Sequence, residues 1–478
     1  MQPPTYYSGD YLRSVATMVS KSRSLIPALL LGLSLPNGLQ AQNSTQSPYS
    51  NFGIGELGGG EFSQITAVGG LSQTAGSRYQ NSALNPATLG LLRYSNLDFG
   101  FHGNTGKITA QNKRRDVNSG GFSYLNIAFP TMNKSFLTGS YVDSNGRTKP
   151  KLLKINMGTA FGLEPVSAVG FNYTLSDSTI LRHDVYHNGG GGLNRFYLAH
   201  GIQVANRLAI GYQAAYLFGQ LRDFSVFNLD DSGYYMRFED QRSIQISGWQ
   251  HRLGVHLNFN TGKMHHLIGG SMLWNRNSIG TQSRLVRTYS SGFGGFPSYK
   301  DTVLSTVSQN GNIILPNGFA AGYSLERPGK WRIGAEYREE QWDRFSAFYT
   351  SGNFAARSTW GIGLNINPEA AARKIGARNR VPVEWRMGYR NTQTQNRFNT
   401  INGMVQIEEQ AYTLGVGIPV SRRYFDNSFL RSQLNITLEY LDRGGISATN
   451  AGLAREQYLR LILGVSLGDV WFDRNKYN

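Results

Sequence analysis

Ser82-Ala83-Leu84-Asn85-Pro86-Ala87-Thr88-Leu89-Gly90 is followed, after three residues, by Tyr94-Ser95-Asn96-Leu97-Asp98-Phe99-Gly100-Phe101. The first stretch is a turn: proline cannot continue a ladder or a helix, and an asparagine before it favours turn initiation. The second is a strand, with Leu97, Phe99 and Phe101 alternating with Asn96, Asp98 and Gly100. Upstream of this junction the chain is rich in glycine and turn residues, with no sustained apolar period. Downstream it alternates almost to the C-terminus.

The alternation is regular. Leu434, Ile436, Leu438 and Tyr440 alternate with Gln433, Asn435, Thr437 and Glu439. Trp331, Ile333, Ala335 and Tyr337 alternate with Arg332, Gly334, Glu336 and Arg338, and Val383, Trp385, Met387 and Tyr389 with Glu384, Arg386, Gly388 and Arg390. Successive strand side chains face opposite sides, so each ribbon has an oily and a polar face. A soluble sandwich hides the oily face, whereas a transmembrane barrel turns it to lipid. In a barrel, Glu336, Arg338, Glu384, Arg386 and Arg390 must look into the lumen, because a basic side chain facing the bilayer midplane costs about 2–4 kcal/mol. Strands are expected near 93–103, 119–130, 155–176, 193–205, 206–219, 242–259, 263–275, 313–326, 330–340, 355–367, 382–391, 409–420, 433–443 and 456–468. Tight turns at Asn206-Arg207, Asn260-Thr261-Gly262-Lys263 and Arg327-Pro328-Gly329-Lys330 alternate with long links such as 276–312 and 341–354. Glu164-Pro165 interrupts the long third strand, and a hairpin within 134–154 would raise the total from 14 to 16.

Composition agrees with a barrel. Charged residues are 16% and aromatics 12% of the 478 residues, 57 are glycine, and mean hydropathy is −0.35. That is too little charge for an ordinary soluble domain. The chain also has no apolar run of the roughly 20 residues a transmembrane helix needs. There is no cysteine, which removes disulfides, thiolate chemistry and a lipidated N-terminal cysteine. Lys21 and Arg23, the apolar run Leu25 to Leu35, and Gly38-Leu39-Gln40-Ala41 form a signal peptide over 1–41, with Met18 a more typical start. The net charge of +17 is spread along strands and turns behind this export signal. It therefore points to anionic lipid, lipopolysaccharide or fatty carboxylates rather than to nucleic acid.

The order of features carries a resemblance. An export signal, a glycine-rich segment over 42–92, Asn85-Pro86-Ala87, a first strand, and a third strand broken at Glu164-Pro165-Val166-Ser167 are similar to the outer-membrane long-chain fatty-acid transporters (FadL-like). The resemblance implies an all-β transmembrane antiparallel barrel over 93–478 with 42–92 as a hatch in its lumen. It also implies passive uptake of hydrophobic molecules such as long-chain fatty acids, which leave sideways at the third-strand kink. Asn85, Pro86 and Ala87 would line that exit, with Glu164 and Pro165 at the opening. No cofactor, metal or enzymatic activity is implied. An alternative within the same family is a barrel subunit that docks partners in a secretion or surface-assembly complex.

Two catalytic patterns do not fit their surroundings. Gly53-Ile54-Gly55-Glu56-Leu57-Gly58 matches a dinucleotide fingerprint without a preceding strand, and Gly464-Val465-Ser466-Leu467-Gly468 matches a nucleophile elbow inside the last strand. His265-His266 face opposite sides of a strand, and His183, Asp184 and His187 fall in an expected loop. Trp274, Trp331, Trp342, Trp360 and Trp385 suit interfacial girdles, and Trp471-Phe472 a C-terminal assembly signal.

Overall fold

The alternating runs form strands because each places one face against lipid and satisfies its backbone through its neighbours. The computed structural model describes residues 45–469 apart from 59–60, 111–112, 143–146, 178–182, 230–236, 292–296, 350–351, 368–381, 401–402 and 426–427. The signal peptide, Met18, the link 368–381 and Trp471-Phe472 lie outside these residues.

Fourteen antiparallel strands close a barrel. They are β1 (Ser95–Ala110), β2 (Lys113–Val142), β3 (Thr148–Asp177), β4 (His183–Val204), β5 (Leu208–Leu229), β6 (Arg237–Thr261) and β7 (Met264–Asn275). The ring continues through β8 (Gly318–Arg327), β9 (Trp331–Glu340), β10 (Arg357–Ile366), β11 (Glu384–Thr400), β12 (Gly403–Phe425), β13 (Ser428–Arg443) and β14 (Arg455–Asp469). β14 pairs with β1 from Arg455 opposite Thr109 to Asp469 opposite Ser95, so the ring has no open edge there. The outer face is apolar: Trp385 is 58% and Leu414 60% exposed, while Glu439 and Asn435 beside them are buried inside.

Several links differ from expectation. Residues 276–312 are not one loop but a hairpin, Ser278–Ser291 with Pro297–Ile314, laid against the upper end of β6. Its strands pair with β6 and each other above the membrane strands, with Ile313 buried and Val303 and Val307 exposed, so the sequence lacks their regular oily alternation. Residues 131–154 do form a hairpin, but by prolonging β2 and β3, and the count stays at 14. His183 opens β4 instead of lying in a loop, and His187 Nδ1 meets Ser225 Oγ at 2.9 Å. Trp342 is not interfacial. It is 3% exposed in an apolar cluster under the upper loops, with Leu193, Leu217, Ile246 and Ile313.

Residues 45–94 lie within the ring, bonded to inward side chains on opposite walls. Ser63 Oγ is 2.9 Å from Thr437 Oγ1 on β13, and Thr74 Oγ1 is 2.6 Å from Ser324 Oγ on β8. Phe62, Ile65, Leu89 and Leu92 pack with Tyr124 and Tyr197 from the wall. A row of cross-strand glycines explains how the Pro86–Leu91 turn fits. Gly158, Gly201, Gly211 and Gly254 are paired in succession across β3 to β6. A Cβ on Gly254 would lie 2.1 Å from Asn85 Oδ1, and one on Gly211 would lie 2.2 Å from the Pro86 carbonyl carbon. Only hydrogen fits where two backbones come this close.

Candidate functional site: a wall gap and the charged cavity behind it

The β2–β3 ladder runs up only to Leu125 opposite Leu163. Above it, Lys113–Tyr124 of β2 pairs with β1 alone, and β3 from Glu164 upward pairs with β4. The strands part at Glu164-Pro165, where the β3–β4 register also slips between Pro165 and Ser167. Proline supplies no N–H, so the ladder cannot continue evenly through it. The result is a gap in the wall.

The N-terminal segment covers that gap. Glu56–Leu57 pairs antiparallel with Ala168–Ser167, and Gly58 N–H donates to the Val166 carbonyl at 3.2 Å. Gly55, at φ +102°, lets this strand approach: a Cβ there would stand 2.5 Å from the Ala168 carbonyl oxygen. Near the top, Arg115 Nη1 reaches across to the Asn172 carbonyl at 2.6 Å.

Asn85, Pro86 and Ala87 are elsewhere. Asn85 Nδ2 donates to the Gln73 carbonyl (2.8 Å) and to the β6 carbonyl of Val255 (3.2 Å), and its Oδ1 accepts from Ala87 N–H. The triplet therefore caps its own turn and seats it on the glycine row, and the freed carbonyl at the kink is met by the Gly58 backbone. Glu164 is 1% exposed and ion-paired with Arg195 of β4. Pro165 lines the cavity behind the gap.

That cavity, about 250 Å³, has a mixed lining. It includes an apolar cluster of Ile54, Val166, Leu193, Leu217, Leu315 and Trp342, together with Arg252, Arg338, Arg357, Arg390 and Arg443. Phe122 also lines it, and its ring packs edge-on against the exposed Phe101 at 6.0 Å, so the cavity extends to the gap.

Most of the cations are held by carboxylates, some of them inserted by the N-terminal segment. Arg443 bonds Glu56 (2.6 Å), Glu409 (2.7 Å) and Glu456 (2.9 Å). Burial by itself would raise the Glu56 carboxyl, but the Arg443 guanidinium overrides it and holds the group below the usual carboxylate range. Glu61 bonds Arg338 (3.0 Å) and Arg390 (3.4 Å), and Arg390 also bonds Glu439 (2.7 Å). Glu336 accepts from Ser72 Oγ and Gln73 N–H, both at 2.7 Å. Glu384 and Arg386 sit apart from the cavity and pair with each other, Arg386 also donating to Asn435 at 2.7 Å.

Arg252 and Arg357 are different: neither forms an ion pair among the described residues. Arg252 is 7% exposed, with one bond to the Leu84 carbonyl (3.1 Å) and an unpartnered Nε. Among the described residues no group of His, Asp or Glu is placed to hold a metal ion.

The sequence held a signal for the covering strand. Glu56 and Glu61 are the two acidic residues between 45 and 92, each directly preceded by a glycine. Glu56 lies inside the pattern set aside as a false dinucleotide motif. Arg252 and Arg357 had no signal, since nothing local says which arginine lacks a partner.

A closed barrel with an apolar belt outside and a charged interior is an integral protein of the outer membrane, built as channels are built. A family model described as BamG matches residues 23–141 and 152–478, so the chain belongs to the BamG family. A search of curated proteins finds no match. Among solved structures, the toluene transporter TbuX of Ralstonia pickettii aligns over 85% of this chain and 98% of its own, at 13% identity and TM-score 0.51. The toluene transporter TodX of Pseudomonas putida aligns over 87% and 99%, at 13% identity and TM-score 0.50. A FadL homologue of Pseudomonas aeruginosa aligns over 86% and 99%, at 10% identity and TM-score 0.49. At such identities the likeness concerns the fold, and at that level the FadL-like resemblance holds.

Proposed function

We propose that this barrel lets hydrophobic molecules cross the outer membrane passively, with long-chain carboxylates among them, and that it is not an enzyme. The observation that carries this is the cavity at the wall gap, whose lining joins an apolar cluster to Arg252 and Arg357, two arginines that form no ion pair among the described residues. A buried cation without a counter-charge is costly. A ligand that brings a carboxylate to Arg252 or Arg357 and an alkyl chain to Leu193, Leu217 and Trp342 relieves that cost. Residues 1–41 are the export signal and 42–92 the hatch. Exit is lateral: once Glu56–Leu57–Gly58 leaves β3, the gap beside Pro165 joins the cavity to the bilayer. A greasy chain then never crosses an aqueous lumen, which saves about 25 cal/mol for each Å² kept from water. The names of TbuX and TodX support a hydrophobic cargo, and the arginines favour an anionic one.

The test is uptake by proteoliposomes of a fluorescent long-chain fatty acid and, separately, of toluene. Replacing both arginines (Arg252→Gln, Arg357→Gln) is expected to slow carboxylate uptake about tenfold or more, as loss of a charge-assisted contact implies, with toluene little affected. Equal uptake of the fatty acid by both proteins would remove the arginines from the path.

A second reading, a barrel subunit docking partners in a secretion or surface-assembly complex, is favoured by the upper hairpin. Its outer strand Pro297–Ile314 exposes Val303 (61%) and Val307 (77%) along an edge that, among the described residues, pairs beyond its own hairpin only at Ile313–Ile314. Co-purification of the barrel alone with bound fatty acid favours transport. A stable large partner favours docking.

A further inference from the structure

One end of the barrel carries cations that no carboxylate answers. Each tight turn supplies at least one: Arg207 after Asn206, Lys263 after Gly262, and Arg327 and Lys330 on either side of Pro328-Gly329. Lys154 and Lys134 stand at the same end. Ala205 N–H bonds the Lys154 carbonyl at 2.8 Å, and Lys134 lies opposite Ile155. Arg327 is half-buried and the other five are exposed. None of the six forms an ion pair among the described residues. Nearby carboxylates are engaged elsewhere: Glu326 pairs with Arg332 at 2.7 Å, and Glu384 pairs with Arg386. Asp469 stands where β14 stops. The opposite end differs, for there Arg114, Arg284, Arg287 and Arg455 meet Asp116, Asp240, Glu239 and Asp442. The end with the tight turns is periplasmic in such barrels.

Height and spread select what these cations meet. Arg207 adjoins the exposed Leu208, and Lys330 is three residues from the exposed Ile333. Lys263 is three residues from His266, whose ring stacks on the exposed Phe259 at 4.8 Å. Three residues of a strand tilted by about 45° descend about 7 Å. A headgroup layer is about 5–8 Å deep, so the charges stand where lipid phosphates stand. They also extend from β2 to β9, more than half of the fourteen-strand ring. A docked protein would meet one sector of such an arc, whereas lipid meets all of it. A second copy of this rim would be repelled. Long basic side chains at this level run along the apolar wall and hold their heads at the phosphates. An anionic membrane surface strengthens the hold of each such residue by about fivefold.

We propose that the periplasmic rim is a binding surface for anionic phospholipid. Headgroup phosphates of the periplasmic leaflet meet Lys134, Lys154, Arg207, Lys263, Arg327 and Lys330. The proposal stands whether or not the barrel conducts.

The test is native mass spectrometry of the full-length folded barrel. It is released from micelles holding equal amounts of phosphatidylglycerol and phosphatidylcholine of matched chain length. The expected result is retention of phosphatidylglycerol over phosphatidylcholine by about fivefold or more. Arg207→Gln, Lys263→Gln, Arg327→Gln and Lys330→Gln together should bring the ratio near one. Arg114→Gln, Arg222→Gln, Arg237→Gln and Lys300→Gln remove the same charge from the opposite end and should leave it unchanged. Folding of each variant is read from heat-modifiable migration. Should the first variant misfold, Lys263→Gln with Lys330→Gln must give an intermediate loss. Equal retention of both lipids, a ratio indifferent to the turn substitutions, or the same loss in both variants would each overturn the proposal. So would displacement of the lipid by inorganic phosphate but not by equal chloride, which marks a free-anion site. An acidic protein held at this rim in place of lipid, and released by the turn substitutions, would overturn it as well.

Discussion

Single side chains decide how tightly the N-terminal segment is held, and Arg443 is the clearest case. It is the common partner of Glu56, which is half-buried, and of Glu409 and Glu456, which are buried. Arg443→Leu leaves three carboxylates without their cation, and removal of one partner of a buried pair costs about 3–5 kcal/mol. The expected outcome is a clear fall in the temperature at which the barrel loses its compact migration in gels. An unchanged midpoint would show that the network carries little of the stability. Glycine positions make a second case. Gly254→Val would drive a side chain into Asn85 Oδ1, 2.1 Å from where its Cβ must sit. The Pro86–Leu91 turn should lift from the wall, with faster proteolysis of the N-terminal segment in the folded barrel. At this scale the sequence was only partly legible. Inward-facing polar residues such as Glu336 and Arg390 followed from alternation. Their partners in the N-terminal segment did not, because Gln73 lies 263 residues from Glu336 and Glu61 329 residues from Arg390 in the chain.

Among elements, the strand Glu56–Leu57 is the one whose movement matters. It joins the wall at Ser167–Ala168 and is held on its other side by Arg443. Facing residues on paired strands place their Cβ atoms about 4.5–5.5 Å apart, close enough for an engineered disulfide after small adjustment. The native chain has no cysteine to interfere. Leu57→Cys with Ser167→Cys, oxidised, should block fatty-acid uptake, and reduction should restore it. Uptake that survives oxidation would mean that cargo does not pass this gap. The strands themselves were largely readable: all fourteen fall where the two-residue period places them, since lipid imposes that period. The hairpin Ser278–Ile314 escaped notice because no lipid touches it, and its pattern follows water and neighbouring loops. Pro165 marked a break in a strand, yet which segment covers the break depends on long-range packing. The triplet Asn85-Pro86-Ala87 bonds its own turn and β6, which only the long-range packing reveals.

Taken whole, the molecule is a ring closed around its own beginning. Glycine rows, carboxylates and small hydroxyls fix residues 45–94 to both walls, and the barrel's middle is filled. The intact protein should therefore pass little ionic current in a planar bilayer. Deletion of 45–92 should yield a folded ring with steady ion conductance, because the remaining inward face is polar and admits water. A silent deletion variant would mean the lumen collapses once emptied. The closure has one more consequence, for biogenesis. β1 follows the enclosed segment directly and must still wait for β14, the last strand made, before the circle is complete. Ser47 meets Glu456 of β14 at 2.6 Å, so the earliest part of this region finds a partner in the latest. Closure of the circle and seating of the enclosed segment are therefore coupled, because Ser47 gains this partner only once the final strand is in place.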